Sequence, residues 1–245
     1  QYLMIFKREV VENREDLWTV VRTLARHVEH NWNKKDRGIW EFRGRSKHFT
    51  FSKVLGWVAM DRAMKIAQYF SMSNYVRVWS QMKEKIRDDI LKKGWNPEIK
   101  AFTQVYGEPH LDAANLLMEH YGFVEANDPK YVSTVRLTRD RLSQDGLVYR
   151  YRNPDDFGEP RSSFTVCTFW LIKSLYKIGE KDEAERLFDN VLAYTNHLGL
   201  LSEDIDFATK RLLGNFPQGY SHIALIDTAM TLCGRDVIDG SCVSG

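Results

Sequence analysis

At 245 residues and 28.7 kDa the chain is long enough for one large domain with a substantial core. Hydrophobic residues at 43% and charged residues at 28% exclude a disordered chain. Thirty-five basic against 33 acidic side chains leave a formal charge of +2, without the basic excess that nucleic-acid binders carry.

Apolar Leu17, Val20, Val21, Leu24, Ala25 and Val28 recur at helical spacing and predict a helix over 14–31. The same periodicity predicts helices over 49–69, 75–92, 111–121, 129–143, 163–178, 181–197 and 218–233. Asp128 before Pro129 reads as an N-cap followed by an N1 proline, and Asp182 lies near a helix start. No stretch alternates convincingly as a strand would. The fold class is all-α, with eight helices.

These helices repeat in pairs. Glycine-led loops at Gly38 (GIWEFRG), Gly94 (GWNPEIKAFTQVYG), Gly146 (GLVYRYRNPDD) and Gly199 (GLLSEDIDFATK) start about 52 to 56 residues apart. Each follows a polar helix and precedes a more apolar one. The unit is therefore a polar outer helix, a long aromatic-rich loop and an apolar inner helix, four times over, and such hairpins must stack to bury their inner faces. The connections on the other side, SMSN and GEKD, are short. The long loops 36–48, 95–110, 146–162 and 199–217 are thus expected on one rim, where a binding site is assembled.

Two rim loops carry a glutamate in a suggestive setting. Glu41 lies between Trp40 and Phe42, where burial among rings would raise its pKa and suit a general acid. Glu203 precedes Asp204 and Asp206 in a polar, acidic loop, where an ionised carboxylate suits a base. Paired carboxylates across a saccharide-sized cleft are the chemistry of glycoside hydrolysis. On these grounds alone, pairing of Glu41 with Arg43 or Arg45 and capping of a helix by Glu203 are the more ordinary roles. Trp57, Trp79 and Trp170 fall within helices and are expected in the core. The HVEH string at His27 and His30 lacks a third metal ligand. Asp88-Asp89 is followed by Ile-Leu-Lys, which fails the DDxxD metal motif of a terpene-cyclase toroid.

The segments GIWEFRGRSKHFTFSKVLGWVAMDRA, FTQVYGEPHLDAANLL, GLVYRY with FTVCTFWLI, and LLSEDID with LGNFPQGYSHIALI together resemble glycoside hydrolase family 15. The resemblance covers about residues 14–233, in order and spacing, and is nearest to the bacterial and archaeal branch. It implies that this single catalytic-type helical domain, 1–245, forms part of an (α/α)6 toroid, about four of its six hairpins. The N-terminal β-sandwich and the first two hairpins of a complete member are lacking. That lack, and an opening QYLMIFKREVVEN without initiator Met or signal peptide, fit a processed chain or a fragment. The resemblance places the general acid at Glu41, the base at Glu203, a sugar-contacting arginine at Arg150 and part of the sugar-binding wall at Trp40. Lys53, Gln104, Tyr106, Asp112 and His222 lie in the same motifs and are expected to line the pocket. For Asp112 an N-cap role is equally open, and for His222 a place in the core.

The implied activity is that of an inverting, exo-acting, glucoamylase-like α-glucosidase that releases β-glucose from the non-reducing ends of α-glucans or oligosaccharides. Neither metal nor organic cofactor is needed. The alternatives are a trehalase of the same family and a non-catalytic helical-repeat interaction module or inactive fragment. The expected partner is an α-linked glucose oligosaccharide or polysaccharide, or trehalose, with no nucleic acid and no membrane. Cys167, Cys233 and Cys242 form no CxxC pair, which favours a reducing, cytoplasmic setting. Inner helix faces left without neighbours are expected to drive self-association.

Overall fold

The computed structural model describes residues 14–155 and 158–234. Eight α-helices occupy the described residues: α1 (Arg14–Asn31), α2 (Thr50–Tyr69), α3 (Ser73–Lys93), α4 (Leu117–His120), α5 (Pro129–Leu142), α6 (Thr165–Lys177), α7 (Lys181–Leu192) and α8 (Gly219–Leu232). The expected helix over 111–121 is instead a 3-10 turn, Ala113–Leu116, continued by the single turn of α4. Asp112 caps its start by accepting the Ala114 N–H at 2.8 Å, and Gly122 at φ +74 follows its end. At α5 the expected cap is found, with Asp128 accepting the Lys130 N–H at 2.8 Å beside Pro129. Helix α7 stops at Leu192 rather than 197, because Asn196 turns the chain by accepting the N–H groups of Leu198 and Leu200.

The loops hold strands too short for periodicity to register. Strands β1 (Trp95–Asn96) and β2 (Ala101–Phe102) form one antiparallel pair, and β3 (Ser143–Gln144) and β4 (Leu147–Val148) a second. Strands β5 (Ser162–Phe164), β6 (Asp204–Asp206) and β7 (Leu212–Leu213) form a three-stranded sheet in that order.

Helix α6 carries the core. From Thr165 to Leu175 every residue except Trp170 is buried, as expected of a helix enclosed on all sides. It packs against α5, α7, α8 and the 3-10 turn, while α2 packs against α1 and α3. Truncating the fully buried Phe169 to Ala would cost about 3–5 kcal/mol. Trp79 of α3 and Trp18 of α1, with ring centroids 5.6 Å apart, tie the first helix to the body. Cys167 and Cys233 are free thiols, and Cys242 lies outside the described residues.

Helices α1 and α8 leave apolar side chains in water. Val20 and Leu24, one turn apart on α1, are 54% and 62% exposed. Tyr220, Ile223 and Ile226 form a stripe on α8 that is 56–70% exposed. Apolar groups grouped in this way favour association. The chain prepared alone is expected to self-associate in sedimentation, and Ile223→Glu with Ile226→Lys to reduce it. A stable, well-behaved monomer would contradict this.

Candidate active site

The long loops after α1, α3, α5 and α7 meet one another. Phe49 bridges to Val105, the Tyr106 N–H donates to the His48 carbonyl, and the Ala113 N–H to the Arg150 carbonyl. The Thr165 N–H then donates to the Glu203 carbonyl at 2.9 Å. Segments as distant in sequence as those of His48 and Glu203 are thereby linked into one rim.

The first loop is braced from below by Lys53. Its buried ammonium donates to the Lys34 carbonyl and, at 2.9 Å, to Asp36 Oδ2. Asp36 Oδ1 in turn accepts from Ser52 Oγ and the Gly38 N–H. Above them the Arg37 guanidinium gathers the carbonyls of Phe42, Arg43 and Gly44. This framework holds Glu41 at φ +54, a left-handed backbone that costs a non-glycine residue about 1–2 kcal/mol.

That turn sends the neighbouring rings inward and leaves Glu41 outside. Trp40 lies 5.7 Å from Phe164, 6.3 Å from Trp170 and 6.4 Å from Tyr151, while Phe42 stacks on Phe49 at 5.2 Å. Glu41 is exposed, so the expected burial among Trp40 and Phe42 is not found. Its carboxylate has no hydrogen bond or ion pair among the described residues, and neither Arg43 nor Arg45 engages it.

Asp112 is the buried anchor of this wall. The Trp40 indole Nε1–H lies 3.0 Å from both of its oxygens, and Gln104 Nε2 donates to Oδ2 at 3.0 Å. Burial raises the Asp112 pKa, while the Ala114 N–H, Gln104, Trp40 and the Arg150 charge act to lower it. A cleft of about 280 Å3 opens beside Gln104, lined by Phe42, Arg45, Lys47, Phe49 and Asp155 among others.

Glu203 immediately precedes β6. Asp204, its neighbour, pairs in register with Phe164, whose ring touches Trp40. The Glu203 Oε2 accepts two hydrogen bonds from Asn215, and Glu203 caps no helix. Asp204 Oδ2 accepts from Ser162 Oγ at 2.5 Å. Burial raises the Asp204 pKa, with Ser162 opposing and the Glu203 charge assisting. Arg150 lies 3.6 Å from Asp155, which also accepts the Tyr151 hydroxyl at 2.6 Å. Its positive charge acts on both Asp112 and Asp204, which places it near the Trp40 wall and the Glu203 loop alike.

His222 and Tyr106 are directed elsewhere. His222 Nε2 accepts the Leu201 N–H at 3.3 Å and Nδ1 bonds the Gln218 carbonyl at 2.8 Å, so the ring fastens the Glu203 loop to α8. The Tyr106 hydroxyl is buried, and burial and the charge of Asp89 raise its pKa. Its ring stacks on His48 at 5.9 Å and packs against Gly94.

The model of Glycosyl hydrolases family 15 matches residues 2–189 and 179–230. The chain belongs to this family. It is 40% identical over 232 residues to a trehalase of Mycobacterium tuberculosis and 35% identical over 217 residues to a trehalase of Thermoplasma acidophilum. Those matches cover 94% and 88% of this chain but 34% and 37% of the relatives, so the chain spans about a third of their length. A bacterial glucoamylase complexed with acarbose superposes with a TM-score of 0.74 at 14% identity, over 90% of this chain and 38% of that one. A glycosidase in complex with glucose does so with a TM-score of 0.70 at 16% identity, over 89% of this chain and 65% of that one. These two likenesses establish the fold. No helix among the described residues is long and apolar enough to cross a membrane.

Within this family-15 chain the structure adds residues that the motifs did not single out. Tyr151 and Phe164 complete the wall around Trp40, and Trp170 turns from the core to join them. Asn215 holds Glu203. The aromatic content hinted at the wall, but which rings face Trp40 is decided only by the packing of loops far apart in sequence.

Proposed function

We propose that this chain carries the acid and base of an inverting glycoside hydrolase, with Glu41 as acid and Glu203 as base. The observation that carries the reading is the junction of their two loops. Trp40, beside Glu41, touches Phe164, which pairs with Asp204, beside Glu203. The resemblance assigns the roles, and the contrast between the two sites fits them. Among the described residues Glu41 has no partner at its exposed turn, which leaves it free to reach a leaving-group oxygen. Glu203 is fixed by donors, as an oriented base needs to be.

In this reading Glu41 protonates the glycosidic oxygen while its bond to the anomeric carbon breaks. Glu203 takes a proton from a water whose oxygen bonds that carbon from the opposite face. The base is left protonated and the acid ionised, and a proton exchanged through solvent restores both. Arg150 faces the sugar hydroxyls, and Trp40 supplies a flat apolar wall for a pyranose ring. Asp112, Gln104, Lys53 and His222 hold these groups in place. Inversion requires the two carboxyl groups to stand roughly 6.5–9.5 Å apart, which leaves room for the water.

Trehalose is the substrate we place first, because relatives at 35–40% identity carry the name trehalase. An α-glucan cleaved from its non-reducing end is the second reading, favoured by the fold shared with a bacterial glucoamylase. We further propose that the chain supplies four of six hairpins of a toroid completed by a longer polypeptide. The exposed stripes on α1 and α8 support this. Assay of the full-length protein on trehalose, maltose, isomaltose and panose tests the assignment. Turnover of trehalose far above the rest is expected. Preference for maltose or panose establishes the glucan reading, and no turnover of any of them contradicts both.

A further inference from the structure

Glu203 is held by more than its place immediately before β6. The Asn215 backbone N–H and side-chain amide both donate to Oε2, at 3.1 and 2.9 Å. In return the Asn215 carbonyl accepts the Glu203 N–H at 2.9 Å. No group among the described residues engages Oε1. Gly214, at φ +73, closes the clasp from the side. A Cβ there would lie 2.8 Å from Oε2 and 3.1 Å from the Glu203 Cβ. The turn therefore sits directly on the carboxyl group, and only glycine combines that backbone with that approach.

We propose that Asn215 is the positioning residue of Glu203, engaging Oε2 so that Oε1 is the oxygen that takes the proton from water. The inference rests on the reading of Glu203 as base. A glutamate carboxyl turns easily about its last torsion, so a base without lateral restraint spends much of its time with neither lone pair aimed at the water. Two donors on one oxygen fix the plane of the group. Asn215 is itself exposed, so its amide holds no core together. Glycine and asparagine are ordinary turn residues, and here the asparagine has a second task.

The test compares variants of the full-length protein on trehalose and on α-glucosyl fluoride, whose fluoride departs with little need of an acid. Asn215→Ala is expected to lower kcat about 10- to 100-fold on both substrates, the scale of a displaced catalytic group. KM should change by no more than about twofold, since substrate contacts are untouched. Asn215→Asp keeps the shape but sets a second carboxylate against Glu203, and it is expected to be at least as impaired. A residue that merely packs would tolerate that change. Near-wild-type kcat in either folded variant, while Glu203→Gln is inactive, overturns the inference and leaves the base in place. Failure of both Asn215 variants to fold makes the residue structural and also overturns it. Full activity in Glu203→Gln removes the base itself, and the inference with it.

Discussion

Glu41→Gln and Glu203→Gln should each lower kcat by about 10^2 to 10^4, the usual contribution of a positioned acid or base. The two losses are expected to differ in what repairs them. Glu41 gives a proton to a departing oxygen, so a leaving group that needs no proton, such as fluoride, should restore much of the rate in Glu41→Gln. Glu203 activates water, and that requirement is the same whatever departs, so Glu203→Gln should stay impaired. Rates on trehalose and on α-glucosyl fluoride separate the roles. Recovery in Glu203→Gln alone would reverse the assignment, and recovery in both variants or in neither would remove it. The left-handed backbone at Glu41 adds a control, because Glu41→Gly relieves the strain and should leave stability unharmed or improved while abolishing protonation.

The second large effect is expected at Asp112. Removing this carboxylate by Asp112→Ala leaves the Trp40 indole N–H, the Gln104 amide and the Ala114 N–H without their acceptor. Each unsatisfied buried donor costs about 1–3 kcal/mol, and because the three share one site their losses are not additive, so about 2–4 kcal/mol in all is expected from denaturant unfolding. Activity should fall about 100-fold as well, because Trp40 fixes the turn that carries Glu41 and small displacements at a reacting centre are costly. Asp112→Asn keeps one acceptor oxygen and should be milder in both respects.

The same residue gives a pH dependence of definite sign. Burial raises the Asp112 pKa above the ordinary value of 3.8, so the folded state holds its proton more tightly than the unfolded chain. Its contribution to stability is therefore greatest in acid and declines as pH rises from about 3.8 through the folded value. In Asp112→Asn that decline should vanish, leaving a flatter stability profile on the same interval. An unchanged slope would show that the carboxyl is not desolvated as described.

Much of the fold was legible because helices this long carry their own period. Helix α1 has the bounds that its apolar spacing gives, and Asp128-Pro129 marks the start of α5 by local capping chemistry alone. The losses occur where local rules are weak. Strands of two or three residues have no room for an alternation to show, so the sheet that presents Glu203 could not be seen. The helix expected through 121 shrank to a 3-10 turn and one α-turn because Gly122 and a buried loop decide its end.

The site divides in the same way. The glutamates stand out as motif residues, and Asp112 was open between pocket and cap; it caps the 3-10 turn and also clamps Trp40. Glu41 was expected among its neighbouring rings, yet a positive φ sets it on the solvent side of both. That inversion follows from the carbonyls gathered by Arg37 and the brace at Lys53, which no reading of adjacent residues contains. Asn215 was missed because its partner lies 12 positions away across a turn.

The most direct test of the whole account is proton NMR of the first glucose formed from trehalose by the full-length protein. Attack of water with inversion turns one α-linked glucose into the β-anomer, while the departing glucose keeps its α configuration. Equal initial amounts of α- and β-glucose are therefore expected, before mutarotation mixes them. Initial product that is entirely α would mean double displacement with retention, and Glu203 could not then be the base of a single inverting step.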